Sequence, residues 1–139
     1  MNVFILNIVL LGLFFNLNNN SFFSTNYIGK DKNAIIQYIK ENHKTLKLNT
    51  TAVNNSYNYL KFEDRINEIT VLFFLSSEDR CTLVRLMSDY SNINDMVAEL
   101  NDLYASTAKN SWKFIEMGKE YLVNLEEGDW FFTITIKER

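Results

Sequence analysis

Two stretches of helical periodicity, 61 residues apart, divide a chain that otherwise alternates like β-strands. Ile35, Ile36 and Ile39 share one side of a helix in "GKDKNAIIQYIKENHK". The 61-residue shift carries them onto Met96, Val97 and Leu100 in "SNINDMVAELNDLYAST". Asp31 is placed to cap the first helix, and Ser91 or Asn92 the second. A helix with one apolar stripe must bury it against another layer, and the rest of the chain offers strands for that layer. "TLKLNT", "YNYLKFE", "EITVLFFLS" and "RCTLVRLMS" follow the first helix, and "SWKFIEM", "EYLVNLE" and "DWFFTITIK" follow the second. The expectation is an α+β fold in the order α-β-β-β-β-α-β-β-β. It has an antiparallel β-meander sheet with two helices on one face, as a duplicated helix-plus-meander would produce.

Alternation then assigns faces. Leu60, Phe62, Trp130, Phe132, Ile134 and Ile136 are expected to point toward the helices, together with Thr82, Val84 and Leu86. That leaves Tyr57, Tyr59, Lys61, Arg85, Phe131 and Lys137 on the open face. "EITVLFFLS" is almost continuously apolar from Ile69 to Leu75, as expected of a central strand contacted on both faces.

The first charged side chain is Lys30. Before it, Val3 to Phe15 form an apolar run interrupted only by Asn7 and Gly12, followed by the polar "NLNNNSFFSTN". A membrane-spanning helix needs about 20 apolar residues, whereas this run has the length of a signal-peptide core. Residues 1–24 therefore read as a signal peptide or N-terminal apolar segment, and residues 25–139 as one α+β domain. Export to the periplasm or the exterior is expected, with no membrane contact beyond that leading segment.

Chemistry is constrained by scarcity. The chain has one histidine and one cysteine. A catalytic triad needs a nucleophile, a base and an orienting group, and a zinc site needs several Cys or His at short spacing. His43 ends the first helix, where a capping role is expected. No phosphate-binding glycine loop, dinucleotide fingerprint or HExxH pattern occurs. Glu126, Glu127 and Asp129 around Gly128 read as a solvated hairpin turn. A net charge of −3 with both signs mixed leaves no footprint for nucleic acid. No enzyme activity, cofactor or metal is expected. Cys81 groups by alternation with Leu83, Arg85 and Met87, away from the helices, as a thiol sheltered by packing or, alternatively, pairing between chains, rather than a nucleophile.

"IGKDKNAIIQYIKENH" followed by a meander resembles small exported bacterial domains of the β-lactamase-inhibitor-like and PepSY-like kind. The likeness runs from Ile28 to Arg139, and Gly29, Lys30 and Lys32 carry its turn. It implies action by binding or regulating other proteins. The open face, aromatic and of mixed charge, is the corresponding candidate surface for an unidentified protein partner. The alternative is a small apolar ligand held between sheet and helices by Phe73, Phe74 and Met96.

Overall fold

The structure is a computed structural model that describes residues 21–51 and 57–139. The expected leading segment from Val3 to Phe15 lies outside the described residues. A short 3-10 turn at Phe22–Ser24 precedes α1 (Lys32–Asn42). Then come β1 (Lys47–Leu48), β2 (Tyr59–Asp64), β3 (Ile69–Leu75) and β4 (Cys81–Ser88). The second half repeats the plan with α2 (Ile93–Leu103), β5 (Ala105–Ala108), β6 (Ser111–Glu116), β7 (Lys119–Glu127) and β8 (Phe132–Glu138). All eight strands form one antiparallel sheet in the order β1-β2-β3-β4-β8-β7-β6-β5. The fold is α+β, and each half is a helix followed by a four-stranded meander.

Local chemistry explains the helix boundaries. Gly29 takes φ +84°, a left-handed turn that glycine tolerates without strain, and delivers the chain to Asp31. The Asp31 carboxylate accepts from Asn33 N–H at 3.0 Å, as a capping side chain should. The second helix starts differently from expectation. Asp89 caps a 3-10 turn (Tyr90–Asn92) by accepting from Ser91 N–H at 2.9 Å, and that turn runs into α2. Asn92 makes no capping bond with its side chain. It donates instead to the Asn67 carbonyl and to Ser88 Oγ, tying α2 to the sheet.

The two helices bury Ile35 and Ile39, and Met96 and Leu100, respectively. Beneath them lie two inward rows of the sheet. Cross-strand pairing aligns Phe62, Val71, Leu86, Ile134 and Leu125 in one row. Leu60, Phe73, Val84, Ile136, Val123 and Trp112 form the next. Trp112 also donates its indole N–H to Asn101 Oδ1 at 2.8 Å, fixing the far end of α2 over β6. Phe23 and Tyr27 close the same core. Phe23 is only 2% exposed, so residues 21–24, assigned by expectation to the leading segment, belong to the packed fold.

Three other expectations change. The stretch "YAST" does not extend the second helix: Tyr104 turns extended, and Ala105–Ala108 adds a fourth strand to that half. Tertiary contacts override the helical pattern here. The Tyr104 ring stacks on Phe114 at 4.6 Å, Phe114 stacks on Tyr121 at 4.9 Å, and the Tyr104 hydroxyl donates to the Phe23 carbonyl. Trp130 does not face the helices. A turn closed by Gly128 N–H donating to the Phe131 carbonyl at 3.0 Å delays β8 until Phe132, leaving Trp130 84% exposed. A side chain at Gly128 would bring its Cβ within 2.8 Å of that carbonyl oxygen, so the turn requires glycine.

Cys81 sits on the opposite side from the one alternation assigns. β3 and β4 pair Phe74 with Leu83 but Leu75 with Cys81, so Thr82 is an extra residue that shifts the register. The bulge rotates Cys81 inward, where it is 2% exposed and shelters in the core. The segment ahead of α1 covers it from outside. Gly29 N–H donates to the Cys81 carbonyl at 2.7 Å, and Cys81 N–H donates to the Lys30 carbonyl at 2.9 Å.

Two measurements test this packing. Leu100→Ala should lower folding stability by about 2–5 kcal/mol in urea melts, the usual cost of emptying a well-packed site. Burial pushes the Cys81 thiol up to about 12. A disulfide reagent should therefore label the native protein at least about tenfold more slowly than the urea-unfolded chain. Equal rates would place the thiol outside the core.

Candidate functional site

Strand pairing brings the outward residues of β2, β3 and β4 into rows of their own. Tyr59, Phe74, Leu83 and Lys137 form one row, and Lys61, Leu72, Arg85 and Thr135 the next. Glu63, Thr70, Met87 and Thr133 follow. Among the described residues no helix covers these rows, and together they form a trough of about 840 Å³ over β2–β4. Its floor is Tyr59, Leu72, Phe74, Leu83 and Met87, and Tyr57, 65% exposed, stands at one end.

Four of the six expected site residues meet in this trough: Tyr57, Tyr59, Lys61 and Arg85. Lys137 is one strand away, paired with Leu83. Phe131 lies beyond the other end, 45% exposed, in a smaller hollow shared with Trp130, Glu68 and Asp89. Thr70 and Met87 line both hollows, so the aromatic surface is continuous from Tyr57 to Trp130.

Leu72 is a functional candidate that sequence reading missed, and Phe74 is one that it placed on the helix-covered face. Their apolar character was the reason to expect β3 to be covered on both faces. In the structure Val71, Phe73 and Leu75 are buried, while Thr70, Leu72 and Phe74 face the trough. β3 is third from the edge, and among the described residues only one of its faces meets helices. An unbroken apolar run in a sheet with two helices for eight strands is itself the signal that could have found this surface.

Two cations sit on the apolar floor. Lys61 Nζ lies 3.2 Å from Glu63 Oε1. That ammonium, with Asn49, holds the Glu63 carboxyl below the usual carboxylate range. The Arg85 guanidinium lies over the Phe74 ring, 5.6 Å from its centroid, a cation–π arrangement that positions it without neutralising it. Among the described residues, no carboxylate lines the trough.

A second cleft, about 380 Å³, opens between the sheet and the helices. Phe22, Phe23, Leu46, Ile69, Leu86 and Met96 supply its apolar wall. Of the residues expected to hold an apolar ligand, only Met96 reaches it. Phe73 is sealed in the core, and Phe74 is on the other face. Asp64 also lines the cleft. Burial pushes its carboxyl up, but bonds from Asn67, Thr45 and Ile66 outweigh this and hold it below the ordinary range.

His43 lines this cleft but does not cap α1 through its ring. Its backbone N–H donates to the Ile39 carbonyl at 2.8 Å. The imidazole packs against Phe22 and Tyr38, with Nε2 3.5 Å from the Tyr27 hydroxyl. Among the described residues, no group of three or more His, Cys, Asp or Glu is placed to hold a metal ion. No helix there is long and apolar enough to cross a membrane. The turn at Glu126–Asp129 is solvent-facing. Comparison of the chain with protein-family models, curated proteins and solved structures gives no match.

Burial lowers the His43 pKa below its ordinary 6.5. As pH falls below that value, the unfolded chain takes up a proton that the folded chain resists, so stability should decline. Asp64 and Asp89, both held below the usual carboxylate range, lose their contribution only in a lower window. Urea melts at about pH 7.5 and about pH 5.5 should show the decline, and His43→Gln should flatten it. A decline of equal size in the variant would assign the effect to another group.

Proposed function

We propose that this chain is an exported, non-enzymatic domain that binds or regulates another protein through the open face of its sheet. The trough over β2–β4 carries the reading: apolar and aromatic side chains lie uncovered on a rigid platform, continuous with exposed Trp130. Aromatic and arginine side chains at the centre of a patch are the usual energetic anchors of protein interfaces. The doubled helix-and-meander plan supports grouping the chain with the small exported domains it resembles, which work by binding. Export rests on the apolar run from Val3 to Phe15. Because Phe23 packs in the core, removal of a leader would fall ahead of Ser21.

Capture of a partner by the full chain, compared with a Tyr57→Ser, Tyr59→Ser and Phe131→Ser triple variant, tests the surface. The variant should retain its thermal transition yet lose at least about tenfold in affinity, as removal of central aromatic anchors does. Unchanged capture would sink the reading.

A second reading has its own observation, the 380 Å³ cleft between helices and sheet. It predicts uptake of a small apolar fluorophore that Met96→Trp blocks by filling the cleft. Uptake unaffected by that change would remove this alternative.

A further inference from the structure

The trough combines an apolar floor with a charge of one sign. Ten residues line it, including Lys61 and Arg85, and among the described residues none is acidic. Lys61 is already engaged by Glu63, which leaves Arg85 as the cation at the centre of the floor. Its guanidinium is held over Phe74 by ring contact, and among the described residues no carboxylate lines the trough beside it. Lys137, on β8 opposite Leu83, adds a second positive charge at the rim. A half-buried guanidinium on an apolar surface gains most from a group that both covers its apolar surroundings and supplies a paired oxygen.

Resting on the open-face reading, we propose that the partner presents an acidic segment: apolar side chains that fill the floor around Phe74, Leu72 and Leu83, and a carboxylate that pairs with Arg85. The trough suits a chain rather than a small amphiphile. It is an open channel along β4 from Thr82 to Met87, and at about 3.3 Å per residue an extended segment of about six residues spans it. A free fatty acid would leave much of its surface wet there, whereas ligand sites for small molecules enclose most of the ligand. The opposite end of the same surface changes sign. Glu68 and Asp89 flank Trp130 and Phe131, so the acidic part of the segment belongs at the Arg85 end and not at the Trp130 end.

Selection of a random dodecapeptide display library against the full-length protein tests this. The wild type should enrich peptides with Asp or Glu flanked by apolar residues. A synthetic peptide of the enriched class should bind at least about tenfold more weakly to Arg85→Gln and to Arg85→Glu, with unchanged thermal transitions. Enriched peptides that lack acidic residues, and whose binding survives both Arg85 variants but not Tyr59→Ser with Phe74→Ser, would overturn the acidic partner while leaving the open-face reading intact. Binding indifferent to all four substitutions, or no enrichment, would overturn both. Displacement of the peptide by micromolar dodecanoate would make the occupant a lipid and overturn the proposal. A dimer broken by Arg85→Glu would make it a second copy, with the same result.

Discussion

Pairing of β4 with β8 holds the molecule together. These two strands end the two halves of the chain, and their ladder runs from Leu83 opposite Lys137 to Ser88 opposite Phe132. Without it each half is a short helix over a four-stranded meander, too small to seal an apolar core. With it, inward rows run from β2 across to β7 and β6, and α1 and α2 share one layer. Six cross-strand pairs thus turn two marginal units into one domain. Arg85, opposite Thr135, lies near the middle of that ladder, so the central cation of the open face stands on the seam that joins the two halves.

Among the described residues one sheet face is closed and the other is not, and this follows from how little helix they contain. Each helix has eleven residues, against eight strands. Both helices, and the Phe22–Ser24 turn, are committed to the inward rows by Ile35, Ile39, Met96, Leu100 and Phe23. Among the described residues nothing further covers Tyr59, Leu72, Phe74 and Leu83. An exposed apolar floor costs solubility and invites nonspecific association. Charged and hydroxyl groups around it, Lys61, Arg85, Thr70 and Thr82, temper that cost without removing the surface.

Much of this architecture was legible in the residues, and what was not has identifiable causes. The helices lie where periodicity places them, and the 61-residue shift carries α1 (Lys32–Asn42) onto α2 (Ile93–Leu103) residue for residue. The inward sets on β2 and β8 follow alternation apart from Trp130. Alternation assumes an unbroken strand, however. The extra residue at Thr82 and the turn at Gly128–Phe131 each displace one large or reactive side chain from its expected face; the first leaves no mark in side-chain type, and Gly128 marks a turn without showing that it runs on to Phe131. β5 was hidden for another reason: Tyr104 is drawn out of the helix by rings on β6 and β7, a contact between residues distant in sequence. For the site, Tyr57, Tyr59, Lys61 and Arg85 were readable as a face. Leu72, Phe74 and Met87 were not, because apolar residues in a strand look alike whether a helix covers them or not.

The two ends of the sheet bear on how this molecule meets others. An open sheet offers unpaired backbone groups along its outermost strands, and these can recruit further strands into fibres. Here one outer strand, β1, has only two residues. The other, β5, is four residues long and loses register between Ser106 and Ala108. Neither presents a straight row of donors and acceptors long enough to template another chain. Growth by edge addition is thereby blunted, and association is channelled to the broad face, where side chains rather than backbone choose the partner.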